Sequence, residues 1–357
     1  MDNIKKVQNY LEKKRLSGLW ITNLENILWL TGIKTDSGVI LIQKNGRSLC
    51  CIDRRYKEIA EEKCKNISCD FFLYDRTFKE GITKEFSGSC YGIEDSLTIG
   101  RFETLKKAFP SIKWKQTSGI IEKLRRSKTV EEIQKIQKAQ SHIDEIFKSF
   151  FQKNLRVGVT EKELAYRLKL EIECGGMYEL AFDSIFAFGE NSACPHHQCT
   201  NRPLQKNENV LIDCGAKFEG YCSDMTRNYW FGETIDPTYQ EKYEILLDAQ
   251  EIALKALRYK AKTKKIDKEC RDALGKENSF FPYSLGHGVG LEVHEAPSLS
   301  SKTPDEILEN EIITIEPGLH YDGKFGIRIE DLVLVRKDGI KILSNTPKDL
   351  ILIESGL

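Results

Sequence analysis

One stretch of the chain, residues 210–227, combines an apolar run, a glycine-flanked turn and two aspartates. Residues 210–212 have the composition of a buried strand, and Asp213 follows them directly. Asp224 precedes a β-branched and aromatic run, so the stretch is predicted to be a β-hairpin. Two neighbouring carboxylates at the ends of buried strands repel each other, and a shared cation removes that penalty. The hairpin therefore indicates a metal site, although aspartates that only favour turns would give the same pattern.

Further candidate ligands come from later in the chain. His287 lies between glycines, which indicates a close backbone approach or a positive φ. Glu316 and Glu330 each adjoin an apolar, β-branched run, as Asp213 does. Arg328 and Glu330 are two residues apart on one predicted strand, so they are expected to point to the same face. Each residue alone would most simply be structural.

Together the candidate ligands form an oxygen-rich set with a single imidazole. The set is Asp213, Asp224, His287, Glu316 and Glu330. This composition suits two divalent cations, with Mn²⁺ favoured and Co²⁺ or Zn²⁺ as alternatives to it. Two metal ions about 3.5–4 Å apart can polarise a carbonyl and stabilise a tetrahedral oxyanion. The set therefore indicates metal-assisted hydrolysis.

Composition narrows the class of protein and of partner. The chain has 357 residues, enough for two domains, and its 54 Lys and Arg balance its 54 Asp and Glu, which gives no electrostatic case for a nucleic-acid partner. No apolar run approaches the roughly 20 residues of a membrane helix, so no membrane partner is expected. The 11 cysteines include no CxxC pair and no signal-peptide pattern is present, so a cytoplasmic location is expected.

The pattern along the chain predicts an α/β (α+β) protein divided near residue 125. Residues 1–125 alternate helical and strand-like segments around an Asn45-Gly46 hairpin turn and carry no catalytic constellation. Residues 126–357 contain every candidate ligand. Capping boxes at Thr129 and Thr160 are predicted to begin helices in this second part.

These motifs resemble the pita-bread metallopeptidases, and within them the aminopeptidase P and prolidase branch. The matching segments are residues 211–227, 285–297, 316–318 and 326–331. The resemblance implies a catalytic pita-bread domain over residues 126–357 and a creatinase/prolidase-like α/β domain over residues 1–125. The C-terminal motifs are specific because five ligands and their neighbours all match, whereas the N-terminal match rests mainly on length and position.

The resemblance also implies a role for each candidate ligand. Asp213 would bind one metal ion, and Asp224 and Glu330 would bridge both ions. His287 and Glu316 would complete the shell of the second ion. Glu316 would also act as the general base or proton shuttle for a bridging hydroxide.

Other positions match residues that handle the substrate in this family. His294 would contact the scissile carbonyl or hold the proline, and His196 would line the specificity pocket. Arg328 matches an arginine of the proline-specific branch. His197 has no obvious counterpart, and we interpret it as a neighbour of His196, with the alternative that it takes the role of His196.

The implied activity is hydrolysis of the bond between an N-terminal residue and proline. A tertiary amide has no N–H and a fixed φ, so a pocket can be shaped for it. Short peptides with proline in second position would be the substrates, and a homodimer would be the assembly. Aminopeptidase P is favoured by the sequence around His287, with a Xaa-Pro dipeptidase (prolidase) as the alternative. A peptide-binding pita-bread protein or a creatinase-type amidinohydrolase would not need the intact ligand set.

Overall fold

The structure is a computed structural model that describes residues 2–302 and 304–354. The chain forms two compact units, Met1–Arg125 and Arg126–Leu357, and each is described by itself. Within the described ranges, no helix is both long and apolar enough to span a membrane.

The first unit is one six-stranded sheet with helices. Its helices are α1 Asn3–Glu12, α2 Leu24–Thr31, α3 Lys57–Cys64, α4 Phe78–Glu85, α5 Ile99–Ala108 and α6 Ile120–Arg125, with a 3₁₀ turn at Arg54–Tyr56. Its strands are β1 Gly18–Ile21, β2 Val39–Gln43, β3 Leu49–Ile52, β4 Asp70–Leu73, β5 Cys90–Glu94 and β6 Lys113–Thr117, in the order β4-β3-β2-β1-β5-β6. β2 pairs antiparallel with β1 and β3, and the remaining pairs are parallel, which is the mixed α/β architecture expected for this part.

Over residues 126–302 and 304–354, the second unit contains several small sheets and five helices. The helices are α7 Val130–Phe147, α8 Phe150–Asn154, α9 Glu161–Glu173, α10 Pro237–Ala256 and α11 Thr263–Leu274, with 3₁₀ turns at Gly189–Ala193 and Gly275–Phe280. The strands are β7 Tyr178–Leu180, β8 Ile185–Phe188, β9 Glu208–Cys214, β10 Ala216–Phe218, β11 Tyr221–Cys222, β12 Met225–Phe231, β13 His287–Gly288, β14 Glu295–Ser298, β15 Ile312–Ile315, β16 Gly318–Tyr321, β17 Phe325–Arg328, β18 Asp331–Arg336, β19 Gly339–Ile342 and β20 Ile351–Ile353.

The aspartate hairpin forms between β9 and β12, which pair antiparallel with Asp213 opposite Thr226. The strands are joined by a smaller hairpin, β10 and β11, that turns at two positive-φ residues, Glu219 and Gly220. β10 also pairs with β7, so the connection between the two aspartates belongs to a second sheet. The hairpin is therefore anchored on both sides, which fixes the ends that carry the two aspartates.

Two apolar cores support the strands of the second unit. One lies between α7–α9 and the inner faces of β8, β9 and β12, and includes the fully buried side chains of Phe150, Phe186 and Ile212. The other lies between α10–α11 and β15–β18, and includes Leu246 and Ile313. Because both sheets are backed by rigid cores, the strand ends between them are held in fixed positions.

Candidate metal centre

Pairing of the strands explains why distant residues meet. Asp213 and Asp224 lie at the same end of the β9–β12 pair. Glu316 follows β15 and Glu330 precedes β18, and these two strands pair antiparallel at that end through Ile315 and Asp331. β13 pairs with β15, which places His287 beside the same strand end. The fold thus gathers all five candidate ligands from three pairs of strands.

Three of these side chains form a group with the spacing of a metal site. Single donor atoms of Asp224, His287 and Glu330 all lie within 4.8 Å of one another. His287 Nε2 is 3.7 Å from Asp224 Oδ2 and 3.1 Å from Glu316 Oε1. One imidazole therefore faces two carboxylates in the interior, and a third lies next to them.

Asp213 completes the group and has one oxygen without a partner. Its Oδ2 is 2.7 Å from Nη2 of Arg328. Its Oδ1 is buried and finds no hydrogen-bond partner in the described part of the chain. A buried carboxylate oxygen without a donor is destabilising unless a cation neutralises it. This orphaned oxygen, together with the oxygen-rich donor set, fits a divalent cation.

Burial, followed by repulsion between neighbouring carboxylates, raises the pKa values of three of the four carboxylates. Burial, and then the charges of Glu330 and Asp213, raises the pKa of Asp224 well above its ordinary value. Burial, and then the charge of Glu316, likewise raises the pKa of Glu330. Burial also raises the pKa of Asp213, although Arg328 opposes this shift. The protein alone therefore supplies too little positive charge for these groups.

For Glu316 and His287, the contact between the two side chains outweighs the effect of burial on the pKa. Burial acts to raise the pKa of Glu316, but the hydrogen bond and charge of His287 lower it overall. Burial acts to lower the pKa of His287, but its hydrogen bond to Glu316 raises it overall. Glu316 is consequently the carboxylate of the group that His287 keeps ionised.

The candidate ligands line an open cavity of about 970 Å³. The three positions matched to substrate handling, His196, His294 and Arg328, line the same cavity. The His294 ring lies 4.4 Å from the His287 ring, centroid to centroid. Desolvation, and then the charge of His287, lowers the pKa of His294, so its imidazole is neutral at pH 7. The cavity thus brings together every site residue expected from the sequence.

Arg328 is a buried link between both sides of the cavity. Its guanidinium donates to Asp213 Oδ2 at 2.7 Å, to Thr226 Oγ1 at 3.0 Å and to the Pro195 carbonyl at 3.2 Å. Thr226 in turn donates to Glu330 at 2.7 Å. The expectation that Arg328 and Glu330 share one strand is wrong, because β17 ends at Arg328 and β18 begins after Glu330. Arg328 reaches the cavity from the end of β17, and Glu330 reaches it from the break between β17 and β18.

Sequence reasoning missed a second hydrogen-bonded set beside Arg328. Tyr283 Oη is 3.2 Å from His320 Nε2, and His320 Nδ1 is 3.1 Å from the Ser192 carbonyl. Tyr283 precedes His287 by four residues in a motif rich in glycine, which was the only available signal for it. His320 gave no signal, because a histidine on a strand is most often structural.

Comparison with known proteins identifies the family. Residues 134–337 match the profile of metallopeptidase family M24, which is more than half of the chain. The chain belongs to metallopeptidase family M24. Residues 3–127 of this M24 chain match the creatinase/prolidase N-terminal domain. The family expected from the motifs and the α/β fold class are both confirmed, and so is the enzyme class, a metallopeptidase and hydrolase.

Individual M24 relatives align along nearly the whole chain. An uncharacterized peptidase of Staphylococcus epidermidis is 34% identical over 358 residues, covering 98% of this chain and 100% of that protein. The structure of a Xaa-Pro dipeptidase from Bacillus anthracis matches with a TM-score of 0.92 and 30% identity, covering 98% of this chain and 99% of that chain. The structure of an X-Pro aminopeptidase from Thermotoga maritima MSB8 matches with a TM-score of 0.87 and 30% identity, covering 99% and 100%. Both units therefore belong to the shared architecture.

Proposed function

We propose that this M24 chain is a metal-dependent Xaa-Pro peptidase with two divalent cations, Mn²⁺ in the first instance. The proposed ligands are Asp213, Asp224, His287, Glu316 and Glu330. The observation that carries the proposal is the convergence of Asp224, His287 and Glu330 donor atoms within 4.8 Å inside an open cavity. The unpartnered oxygen of Asp213 supports the same site.

Bound cations in such a site supply Lewis-acid polarisation of a carbonyl and a water-derived nucleophile at neutral pH. The chain's own residues then have separate tasks. Glu316 lines the cavity as a carboxylate and can accept a proton as general base. His294, whose pKa is lowered, is neutral and can donate a hydrogen bond to a substrate oxygen. Arg328 holds Asp213 and closes the cavity wall at the Pro195 carbonyl.

Specificity for proline is supported by the named relatives. The Bacillus anthracis and Thermotoga maritima structures are a Xaa-Pro dipeptidase and an X-Pro aminopeptidase, and each matches the whole chain. Both names describe cleavage beside proline. The shared substrate class therefore supports a Xaa-Pro peptide as substrate of this chain.

The preferred substrate is a peptide longer than two residues, which makes the activity that of an aminopeptidase P. The cavity of about 970 Å³ is at the upper end of the roughly 300–1,000 Å³ of ordinary ligand sites and is open to solvent. Such a cavity admits residues beyond the proline. The second candidate is a Xaa-Pro dipeptidase, which the Bacillus anthracis structure favours.

Peptide hydrolysis after metal exchange tests the function. The protein is stripped with chelator, reloaded with Mn²⁺ and assayed against Ala-Pro-Ala, Ala-Pro and Ala-Ala-Ala. We expect release of alanine from Ala-Pro-Ala and little attack on the other two peptides. Faster hydrolysis of Ala-Pro would make the protein a prolidase. Equal cleavage of Ala-Ala-Ala, or cleavage that persists without metal, would overturn the proposal.

A further inference from the structure

The loop between β8 and β9 carries two adjacent histidines with different surroundings. His196 is exposed in the cavity, whereas the His197 side chain is only 10% exposed. The backbone N–H of His197 donates to the Cys194 carbonyl at 3.2 Å, which closes a tight turn over residues 194–197. Both histidines therefore sit on one short turn at the cavity wall, where the ring of His196 is exposed and that of His197 is largely buried.

The buried carboxylate of Glu161 accepts several hydrogen bonds from this loop. Glu161, the first residue of α9, is fully buried. It accepts hydrogen bonds from the backbone N–H of Phe188 at 3.0 Å, from Asn191 Nδ2 at 2.9 Å, and from the Thr200 N–H and Oγ1 at 2.8 and 2.7 Å. The remaining partner is His197, whose Nε2 lies 2.8 Å from Glu161 Oε2. The carboxylate thus binds the start, middle and end of the loop.

The charge state of Glu161 fixes the direction of the histidine bond. Burial acts to raise the pKa of Glu161, but hydrogen bonds from Asn191, His197 and the Phe188 backbone lower it overall. An ionised carboxylate only accepts hydrogen bonds, so Nε2 of His197 carries the proton and donates. Such a charge-assisted bond is stronger than a neutral one.

The turn that His197 anchors also contacts the reactive side of the cavity. The Pro195 carbonyl accepts a hydrogen bond from Arg328 Nη1 at 3.2 Å. The other nitrogen of that guanidinium, Nη2, binds Asp213 Oδ2 at 2.7 Å. A displacement of the turn would therefore move the exposed ring of His196 and release one of the contacts that orient Arg328.

We propose that His197 is a positioning residue, whose hydrogen bond to Glu161 sets the turn of residues 194–197 so that His196 faces the substrate and Pro195 orients Arg328. This role rests on the proposed Xaa-Pro peptidase function and adds a determinant of substrate binding to it. The metal ligands lie on other strand ends, so removal of His197 loosens substrate contacts and leaves the metal ions in place.

Steady-state kinetics of the Mn²⁺-loaded full chain on Ala-Pro-Ala test this role. We expect His197→Ala to raise KM about tenfold and to change kcat less than about threefold, with unchanged metal content. His197→Gln, whose amide N–H can still reach Glu161, should restore KM to within about threefold of wild type. His142→Ala, which removes a histidine bonded to the Ile172 carbonyl, is the matched control and should leave both constants unchanged.

Three outcomes would overturn the role. They are an unchanged KM in His197→Ala, a loss confined to kcat, and a His197→Gln variant as impaired as His197→Ala. If His197→Ala fails to fold, His197→Asn takes its place, because its amide is one bond too short to reach Glu161 and should give the same rise in KM.

Hydrogen–deuterium exchange separates this role from the peptidase function. Amides of residues 194–200 should exchange at least about tenfold faster in His197→Ala than in wild type or His142→Ala. This comparison needs no substrate, so it tests whether His197 anchors the turn even if wild type cleaves no proline peptide. Identical exchange in all three proteins would overturn the role, whereas faster exchange together with an inactive wild type would overturn only the function.

Discussion

Asp213, one of the proposed metal ligands, has different surroundings at its two carboxylate oxygens. One oxygen is neutralised by Arg328 at 2.7 Å, and the other is buried without a partner. The arginine keeps the carboxylate in place, because a buried charge without any partner would be expelled or protonated. The second oxygen is left for a ligand that the protein itself does not provide.

At the same scale, Asp224→Asn should remove metal and activity together. Its carboxylate would be a direct metal ligand, so metal affinity should fall by more than the roughly 10–100-fold typical of outer partners of a metal site. The metal-free variant should be at least as stable as metal-free wild type, because burial and the charges of Glu330 and Asp213 raise the pKa of Asp224.

Metal content by elemental analysis, hydrolysis of Ala-Pro-Ala and urea unfolding check this prediction. Asp322→Asn, which removes an exposed carboxylate of the same unit, is the control and should behave like wild type. A fully active Asp224→Asn protein would contradict the two-metal site.

His320 should make the stability of the protein sensitive to mild acid. Burial, and then the charge of Arg328, lowers the pKa of His320 to about 4. The unfolded chain binds the proton near pH 6.5 and the folded chain only near pH 4, so the free energy of unfolding falls as pH drops between these values. The contribution of this residue is about 3 kcal/mol over that window.

Urea unfolding of wild type and His320→Gln at pH 7 and pH 4.5 measures the effect. The glutamine variant should lose less stability than wild type on acidification, because it has no proton to bind. Equal losses in the two proteins would show that His320 titrates normally in the folded state.

At the scale of secondary structure, the second unit depends on well-terminated helices. α7 begins with a capping box in which Glu132 N–H donates to Thr129 Oγ1 at 3.3 Å and Thr129 N–H donates to Glu132 Oε2 at 2.7 Å. α9 begins with the same arrangement at Thr160 and Glu163. The cap of α9 also fixes the position of Glu161, the first residue of that helix. Through Glu161 this cap supports the loop between β8 and β9 that lines the cavity.

Thr129→Ala should therefore lower the free energy of unfolding by about 1 kcal/mol, the usual cost of losing an N-cap side chain. Urea unfolding followed by far-ultraviolet circular dichroism measures the change. Thr234→Ala, in an exposed loop of the same unit, should stay within about 0.5 kcal/mol of wild type. A Thr129→Ala variant as stable as this control would show that the cap contributes nothing to the unit.

The sequence was most informative where chemistry and local pattern coincide. Asp213 and Glu316 could be identified as candidate ligands because each ends an apolar run, and a carboxylate buried there is costly unless it has a partner. The contact between His197 and Glu161 could not be predicted, because it joins a loop to a helix 36 residues earlier. The strand break after Arg328 could not be predicted either, because the spacing of Arg328 and Glu330 is the same as that of two residues on one face of a continuous strand. Long-range contacts and backbone breaks depend on tertiary packing, which periodicity does not report.

For the whole molecule, metal removal should affect the two units differently. A ligand that binds only the folded state stabilises it by about 2.7 kcal/mol at 100 times its Kd. For a unit of this size that corresponds to a loss of about 5–10 °C in Tm when a chelator removes the ions. The proposed ligands all lie in Arg126–Leu357, so this loss belongs to the second unit.

Calorimetry with and without chelator, combined with hydrogen exchange, checks this. Amides of residues 2–125 should exchange at the same rate in both conditions, whereas those flanking the proposed ligands should exchange faster after metal removal. Asp224→Asn in excess Mn²⁺ should have a Tm no lower than that of the chelated wild type, and the chelator should not change it. A chelator effect that is equal in both units would contradict the assignment of the ligands.

The spread of the proposed ligands along the chain sets an order of events during synthesis. Glu330 follows Asp213 by 117 residues, so at roughly 5–20 residues per second a ribosome needs about 6–23 s between them. During that interval the nascent chain gains Asp224, His287 and Glu316 in turn and carries an incomplete set of the five proposed ligands. Loading with metal therefore waits until translation has passed Glu330, and the concentration of free ion around finished chains determines what fraction of them becomes active.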